Sequence, residues 1–199
     1  MLVIFFFMID IFNLPDNSNN VKVFYPTGNN AWQTWQKPRN CKFVNMFLIG
    51  GGGGGGAGYP SGEPIGGGGG GGSSSITSGI FLANLLPDIL YIQVGLGGAG
   101  GLGGSGSGTA TAGSNGTLSY VSVFPSATTN TFISNTNPIV LASGNAPAAG
   151  GQINTNGGAG GAGGTVFSQT SPLFNIFSYL GILSLIGGQD GGAGGGSVG

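Results

Sequence analysis

The sequence predicts an all-β chain: a β-sandwich whose loops extend into a bundle of polyglycine-II helices, with almost no α-helix. Three observations predict it. Glycines recur with a period of three in Leu96-Gly-Gly-Ala99-Gly-Gly-Leu102-Gly-Gly-Ser105, in Asn156-Gly-Gly-Ala159-Gly-Gly-Ala162-Gly-Gly-Thr165 and in Asp190-Gly-Gly-Ala193-Gly-Gly-Gly196. Two further runs, Gly50–Gly56 and Gly66–Gly72, are glycine throughout. Between the tracts lie short apolar runs bounded by turn residues, with no sustained helical period.

A flexible linker has no reason to count in threes. A polyproline-II-type helix has three residues per turn and therefore three faces. It forms no internal hydrogen bonds, so each N–H and C=O points outward and needs a partner. Neighbouring glycine helices supply those partners where no side chain stands between them. An X-Gly-Gly helix has two bare faces and suits the edge of a bundle. An all-glycine run has three and suits the interior, which places Gly53 and Gly69 inside. Each such run would span roughly 22 Å at about 3.1 Å per residue. The predicted glycine helices lie near 50–58, 66–72, 95–108, 156–164 and 187–199. Collagen shares the backbone but carries one glycine in three, with proline at many other positions. Here glycine fills two positions in three, and proline avoids the tracts.

Residues 1–20 read as an apolar N-terminal segment, and 21–199 as one unit of sandwich plus bundle. Met1–Phe12 lacks the charged start and small-residue cleavage site of a signal peptide, and it is too short to span a bilayer. It reads as an edge strand or an oligomer contact, with Val3, Phe5, Phe6, Phe7 and Ile9 as candidate assembly residues; Met8 is an alternative start. Val21–Tyr25 alternates and reads as a strand, followed by a turn cluster at Pro26–Asn30. Trp32 and Trp35 belong to a short strand closed by Pro38. Phe43–Ile49 reads as a buried central strand feeding straight into Gly50. Tyr59–Ile65 connects the two all-glycine runs and forms an exposed tip, with Tyr59, Pro60, Ser61, Glu63 and Pro64 as the candidate presented loop. Ile76–Leu86 and Leu90–Val94 read as strands around the turn dipeptide Pro87-Asp88. Asn115-Gly116 reads as a hairpin turn leading into Leu118–Phe124. Phe132–Leu141 holds one or two edge strands, because Pro138 cannot donate to a ladder. Leu173–Ile186 supplies further core strands. A glycine tract running to Gly199 implies a truncation or a continuation within an assembly.

Composition narrows the chemistry. The chain has 199 residues, 39% of them hydrophobic, with a net charge of −1; its mean hydropathy is +0.27, too apolar for a solvated disordered chain. Only 5% of residues are charged, and only Lys37–Lys42 is locally basic, so nucleic acid is not an expected partner. A surface so poor in charge suits a protein covered by neighbours in an assembly. No histidine is present, which removes Ser-His-Asp and Cys-His arrangements. The carboxylates are scattered, so no catalytic pair, metal site or cofactor site is expected. Cys41 is the sole cysteine and reads as a small buried hydrophobe. Trp32, Trp35 and Tyr91 read as core, and Tyr59 as the exposed aromatic. Asn115-Gly-Thr117 matches a glycosylation acceptor.

The run from Trp35-Gln-Lys-Pro38 through Phe43–Ile49, Gly50–Gly56, Gly79-Ile80-Phe81-Leu82, Asp88 and Leu90-Tyr91-Ile92-Gln93-Val94-Gly95 resembles the glycine-rich extracellular domain of anaplastic lymphoma kinase-type receptors. The resemblance covers roughly residues 32–100. It implies a jelly-roll or tumour-necrosis-factor-like sandwich with an inserted polyglycine-II bundle; the family's cysteines, kinase and membrane span are missing, so receptor function does not carry over. The layout is also similar to glycine-rich fibre and adhesin proteins of tailed phages, Met8–Phe12, Val21–Pro26 and Trp32–Pro38 included. That resemblance implies a non-enzymatic structural or adhesive protein of a virion appendage, forming trimers or polymers. Its loops, Tyr59–Ile65 and Ala142–Ala149, would touch a host glycan or protein. Two other readings stay open: a subunit of a microbial extracellular filament, polymerising by strand addition through Met1–Phe12, and a secreted receptor-type binding module.

Overall fold

Alternating burial sets the strands, because successive side chains on a strand point to opposite faces. The computed structural model describes residues 6–7, 21–28, 31–58, 66–103, 110–125, 139–143, 149–151, 158–165, 181–186 and 189–192. In chain order its strands are β1 (Phe6–Phe7), β2 (Gln33–Gln36), β3 (Phe43–Ile49), β4 (Ile76–Leu82), β5 (Ile89–Gln93), β6 (Tyr120–Ser122), β7 (Ile139–Ala142) and β8 (Gly181–Ile186). They form two four-stranded antiparallel sheets, β1-β3-β4-β8 and β2-β5-β6-β7. The chain is all-β among the described residues, where the one helical element is the 3-10 turn Ala83–Leu85. No helix among them is long and apolar enough to cross a membrane.

On β3, Val44, Met46 and Leu48 are buried while the residues between them are half-exposed. β3 pairs with β4 along its whole length, from Phe43 opposite Leu82 to Ile49 opposite Ile76. Both sheets feed one core: Val44, Met46, Leu48 and Phe81 come from the first, and Trp35, Leu90, Ile92 and Val121 from the second. Trp35 is therefore core, and Tyr91 is half-buried. The N-terminal Phe6–Phe7 pairs with Met46 and Asn45 and covers one edge of β3.

Two expectations need correction. Val21–Tyr25 forms no strand. Phe24 inserts into the shared core at 4% exposure, and the Tyr25 carbonyl accepts from Gln33 Nε2 at 2.8 Å. A side chain thus anchors this segment where a ladder was expected, and Pro26 beside it has no N–H to extend one. The strand expected over Ile76–Leu86 stops at Leu82. Ala83 N–H donates to the Lys42 carbonyl at 2.9 Å and Leu86 N–H to the Ala83 carbonyl at 3.3 Å, which closes the 3-10 turn.

Lys37 holds that turn from β2's side. Its Nζ donates to the carbonyls of Leu86 at 2.6 Å and Ala83 at 3.0 Å and meets Asp88 Oδ1 at 3.1 Å. The Lys37 side chain is 16% exposed and that of Asp88 87%. The carbonyls, flanked by buried Ala83 and Leu86, matter more than the solvated carboxylate. Lys37→Met should therefore lower the unfolding free energy by about 1–3 kcal/mol, and Asp88→Asn by less than about 1 kcal/mol. Urea denaturation of the two variants checks this ordering. Burial pushes the Tyr120 phenol from 10.0 up to about 12. The folded state then keeps a proton that the unfolded chain releases. Stability should be intact below pH 10 and fall as pH rises from 10 towards 12, by about 1.4 kcal/mol per unit, a slope that Tyr120→Phe should remove in denaturation series across that range.

Candidate functional site

Seven extended segments adjoin one end of the sheets: I (50–58), II (66–73), III (95–103), IV (110–117), V (149–151), VI (158–164) and VII (189–192). None is strand or helix. Gly51–Gly55, Gly97, Gly98, Gly100 and Gly101 all lie outside the left-handed φ region, so space and not dihedral freedom explains them.

Segment I shows how the space is used. The N–H groups of Gly51, Gly54 and Ala57 donate to Thr117, Ser114 and Thr111 of segment IV, at 2.7, 2.9 and 3.1 Å. Those of Gly53 and Gly56 donate to Gly72 and Gly69 of segment II, at 2.9 and 2.8 Å. The carbonyls of Gly52 and Gly55 accept from Gly98 and Gly101 of segment III, at 2.8 and 2.7 Å, and that of Gly54 accepts from Gly151 of segment V at 2.8 Å. Each set of contacts advances by three residues. The glycine period in the sequence is thus the period of the contacts.

Segment II repeats the arrangement. Gly70 N–H donates to Gly192 of segment VII at 2.7 Å and Gly72 N–H to Ala149 of segment V at 3.0 Å. The Gly67 and Gly70 carbonyls accept from Gly158 and Gly161 of segment VI, both at 2.8 Å. Gly113 to Gly151, Ala149 to Ala162 and Gly191 to Gly161 follow at 3.0, 2.9 and 2.8 Å, with Gly164 to Ser73 at 2.9 Å and Ser73 to Gln189 at 2.8 Å. The pairings resolve into two rows, III-I-II-VII above and IV-V-VI below. Each member of the lower row bonds two consecutive members of the upper. Odd-numbered segments run away from the sheets and even-numbered ones return, a mixture of directions unlike collagen's three like-directed chains.

Close approach excludes side chains. A Cβ added at Gly54 would fall on the Ala99 carbonyl, one at Gly53 on that of Ala149, and one at Gly69 on that of Ala159. Gly69 is buried and Gly53 half-buried.

At the rim, side chains stand in for missing neighbours. The hydroxyl oxygens of Thr111, Ser114 and Thr117 accept the N–H groups of Leu102, Ala99 and Leu96, each at 2.7 Å. The N–H groups of the same three residues donate to the carbonyls of Leu102, Ala99 and Leu96 at 3.1, 2.9 and 2.8 Å. Asn115 Oδ1 accepts from Gly150 at 3.0 Å, Asp190 Oδ1 from Gly163 at 2.6 Å, and Ser73 Oγ from Gln189 at 2.6 Å. Asn115-Gly116 is therefore part of segment IV and not a hairpin turn. The dipeptide rule is local, whereas this segment is held by contacts with residues far away in sequence. The T-x-x-S-x-x-T spacing was the available signal for it. Residues 149–151 are too short to show a period.

Buried hydroxyls join the bundle to the sheets. Thr77, Ser119 and Ser143 are fully buried. Ser119 Oγ donates to the Ile49 carbonyl at 2.6 Å and accepts from Gly95 N–H at 2.9 Å. Ser119 N–H donates to Ser143 Oγ at 3.0 Å, and Thr77 Oγ1 to the Ser143 carbonyl at 2.9 Å. The chain ends leaving β3, β5 and β7 and those entering β4 and β6 are thereby tied together.

Of the predicted site residues, Tyr59, Pro60, Ser61, Glu63 and Pro64 lie outside the described residues, as do Val3, Phe5 and Ile9. Cys41 is half-buried with its Sγ donating to the Phe43 carbonyl at 3.1 Å. Burial pushes its thiol up, against the opposing pull of the Lys37 charge and that hydrogen bond, so it is not a reactive thiolate. Among the described residues, no three of Cys, Asp and Glu gather to hold a metal ion.

A family model described as a glycine-rich domain matches residues 27–199. Comparison with curated proteins and with solved structures finds no match.

Adjacent glycines should respond in opposite ways to the same substitution. Gly54→Ala drives a Cβ into backbone and should cost about 3 kcal/mol. At Gly55 the nearest atom to an added Cβ is the Gly69 carbonyl oxygen at 3.7 Å, so Gly55→Ala should leave stability unchanged or raise it by up to about 1 kcal/mol. Paired denaturation curves check the contrast.

Proposed function

The chain belongs to the glycine-rich domain family, and we propose that it is a non-enzymatic structural and adhesive subunit of a virion appendage, of the phage fibre or adhesin type. In this reading segments I to VII are polyglycine-II helices, and the bundle is a stiff arm projecting from the sheets. The observation that carries it is the three-residue step of the backbone bonds across seven segments of mixed direction. Segment I alone extends roughly 25 Å from the junction at about 3.1 Å per residue. In the same reading residues 59–65, which join segments I and II in the sequence, are the loop that would meet a host glycan or protein. Rigidity in this reading comes from backbone contacts, with few charges and, among the described residues, no side-chain core inside the arm. A non-enzymatic role is supported by the lack of histidine and by the scattered carboxylates. The extracellular or virion setting is supported by resemblance and composition.

A filament subunit is the second reading, favoured by the two-residue strand β1 at the edge of β3. A strand so short is exchangeable between copies. Cryo-electron microscopy with mass photometry, on the full chain and on a variant lacking residues 1–12, separates the two. Discrete closed oligomers in both samples are the expected result. Open-ended fibres that disappear with the deletion would replace the appendage reading with the filament one, and monomers in both, in concentrated cryo-electron microscopy samples as well as in dilute mass photometry, would replace it with a secreted binding module.

A further inference from the structure

A threefold segment has three sets of N–H groups, and in segment III one set has no partner among the described residues. Leu96, Ala99 and Leu102 donate to the hydroxyls of segment IV, and Gly98 and Gly101 donate to segment I. The remaining set, Gly97, Gly100 and Gly103, is exposed and has no hydrogen-bond partner among the described residues. Segment I likewise spends Gly51, Gly54 and Ala57 on segment IV and Gly53 and Gly56 on segment II, which leaves Gly52, Gly55 and Gly58. Gly55 and Gly58 are exposed and Gly52 half-buried.

These leftover glycines lie along the same side of two adjacent segments. None of them needs to be glycine for the fold. An added Cβ at any of the six would meet nothing closer than 3.4 Å, and none has a left-handed φ. The other side of the bundle differs: there Ala112, Asn115, Ala159 and Ala162 present exposed side chains. The lattice itself shows what fits the bare side. Below, the groove between segments III and I is filled by segment IV, whose carbonyls and N–H groups meet theirs every third residue. Above, the same two segments offer an equivalent groove with unspent donors.

We propose that this bare face is an interface between two copies of the chain, each laying its segment III along the groove between segments I and III of the other. The occupant must be free of side chains on its facing side, uncharged, and equipped with both donors and acceptors at three-residue spacing. Segment III meets all three conditions. Its donors at Gly97 and Gly100 are accompanied by carbonyls at Gly97, Gly98, Gly100 and Gly101 that accept nothing among the described residues. A patch that complements itself is what a twofold dimer requires. No charge lies on the face, and the net charge of −1 opposes pairing little. Two facing segments of roughly 20 Å bury less than a standard interface of about 800 Å² per partner, so the pairing is weak and depends on concentration. It rests on the reading of the chain as a subunit of an assembly.

The test is sedimentation equilibrium of the full chain up to about 1 mM, beside Gly97→Ala/Gly100→Ala and Gly97→Glu/Gly100→Glu. The open space around both positions means that the variants should keep the wild-type melting temperature. The wild type should move towards twice its 19.5 kDa mass with concentration, and both variants should remain at the single-chain mass. Amide hydrogen exchange at Gly52, Gly55, Gly97 and Gly100 should slow on association in the wild type alone. Association that persists in both variants overturns this interface and leaves the subunit reading standing. A monomeric wild type overturns both. Slow exchange at these glycines in a monomer would mean that another part of the same chain occupies the face, which also overturns the proposal.

Discussion

Backbone N–H groups meeting carbonyls at three-residue intervals are what the rest of this molecule depends on. A net protein hydrogen bond contributes about 0.5–1.5 kcal/mol, while fixing one residue's backbone costs about 1–2 kcal/mol, and glycine loses more freedom than any other residue. Hydrogen bonds alone therefore do not hold a glycine segment in place. Segment I survives because it is bonded to segments II, III, IV and V at once, and because its first residue is already positioned by β3. The same arithmetic explains the intolerance to side chains. At Gly51, Gly53 and Gly54, which face those neighbours, the Cβ of an alanine has nowhere to go.

The sheets provide what the bundle lacks. Their shared core of Met46, Leu48, Phe81, Leu90 and Ile92 excludes water, and apolar burial of this kind is the dominant favourable term in folding. The conversion from one kind of order to the other happens over a few residues. Strands alternate with a period of two, the longer segments repeat with a period of three, and no backbone pairing suits both. Thr77, Ser119 and Ser143 resolve the mismatch with side-chain hydroxyls that reach carbonyls and N–H groups at the point of change. Apolar residues at those positions would leave buried backbone groups unpaired.

Legibility in the sequence followed the strength of local patterns. Phe43–Ile49 and Leu90–Val94 were readable because their runs are apolar, rich in strand formers and bounded by turn residues. Gly50–Gly56 and Leu96–Leu102 were readable because the period of three repeats often enough to be noticed. Segment IV was misread since Thr111, Ser114 and Thr117 break the glycine pattern, and their hydroxyls act as lattice partners only when segment III lies beside them. Val21–Tyr25 alternates like a strand, yet it forms no ladder, and only Phe24 is drawn into the core. Both errors share a cause: the deciding partner lies far away along the chain.

The alternating directions of the seven segments also bear on the order in which the molecule assembles itself. Segment I at residues 50–58 finds its partners at 69–72, 98–101, 111–117 and 151, so most of its contacts close long loops. Loop-closure entropy is met before such contacts give anything back, which makes structures of this kind slow to form. A glycine run has no side chains with which to start a hydrophobic cluster of its own. The sheets must then come first, their register setting each segment to within one residue of its neighbours. On this loop-closure argument the segments would then zip up from the hydroxyl junction outward.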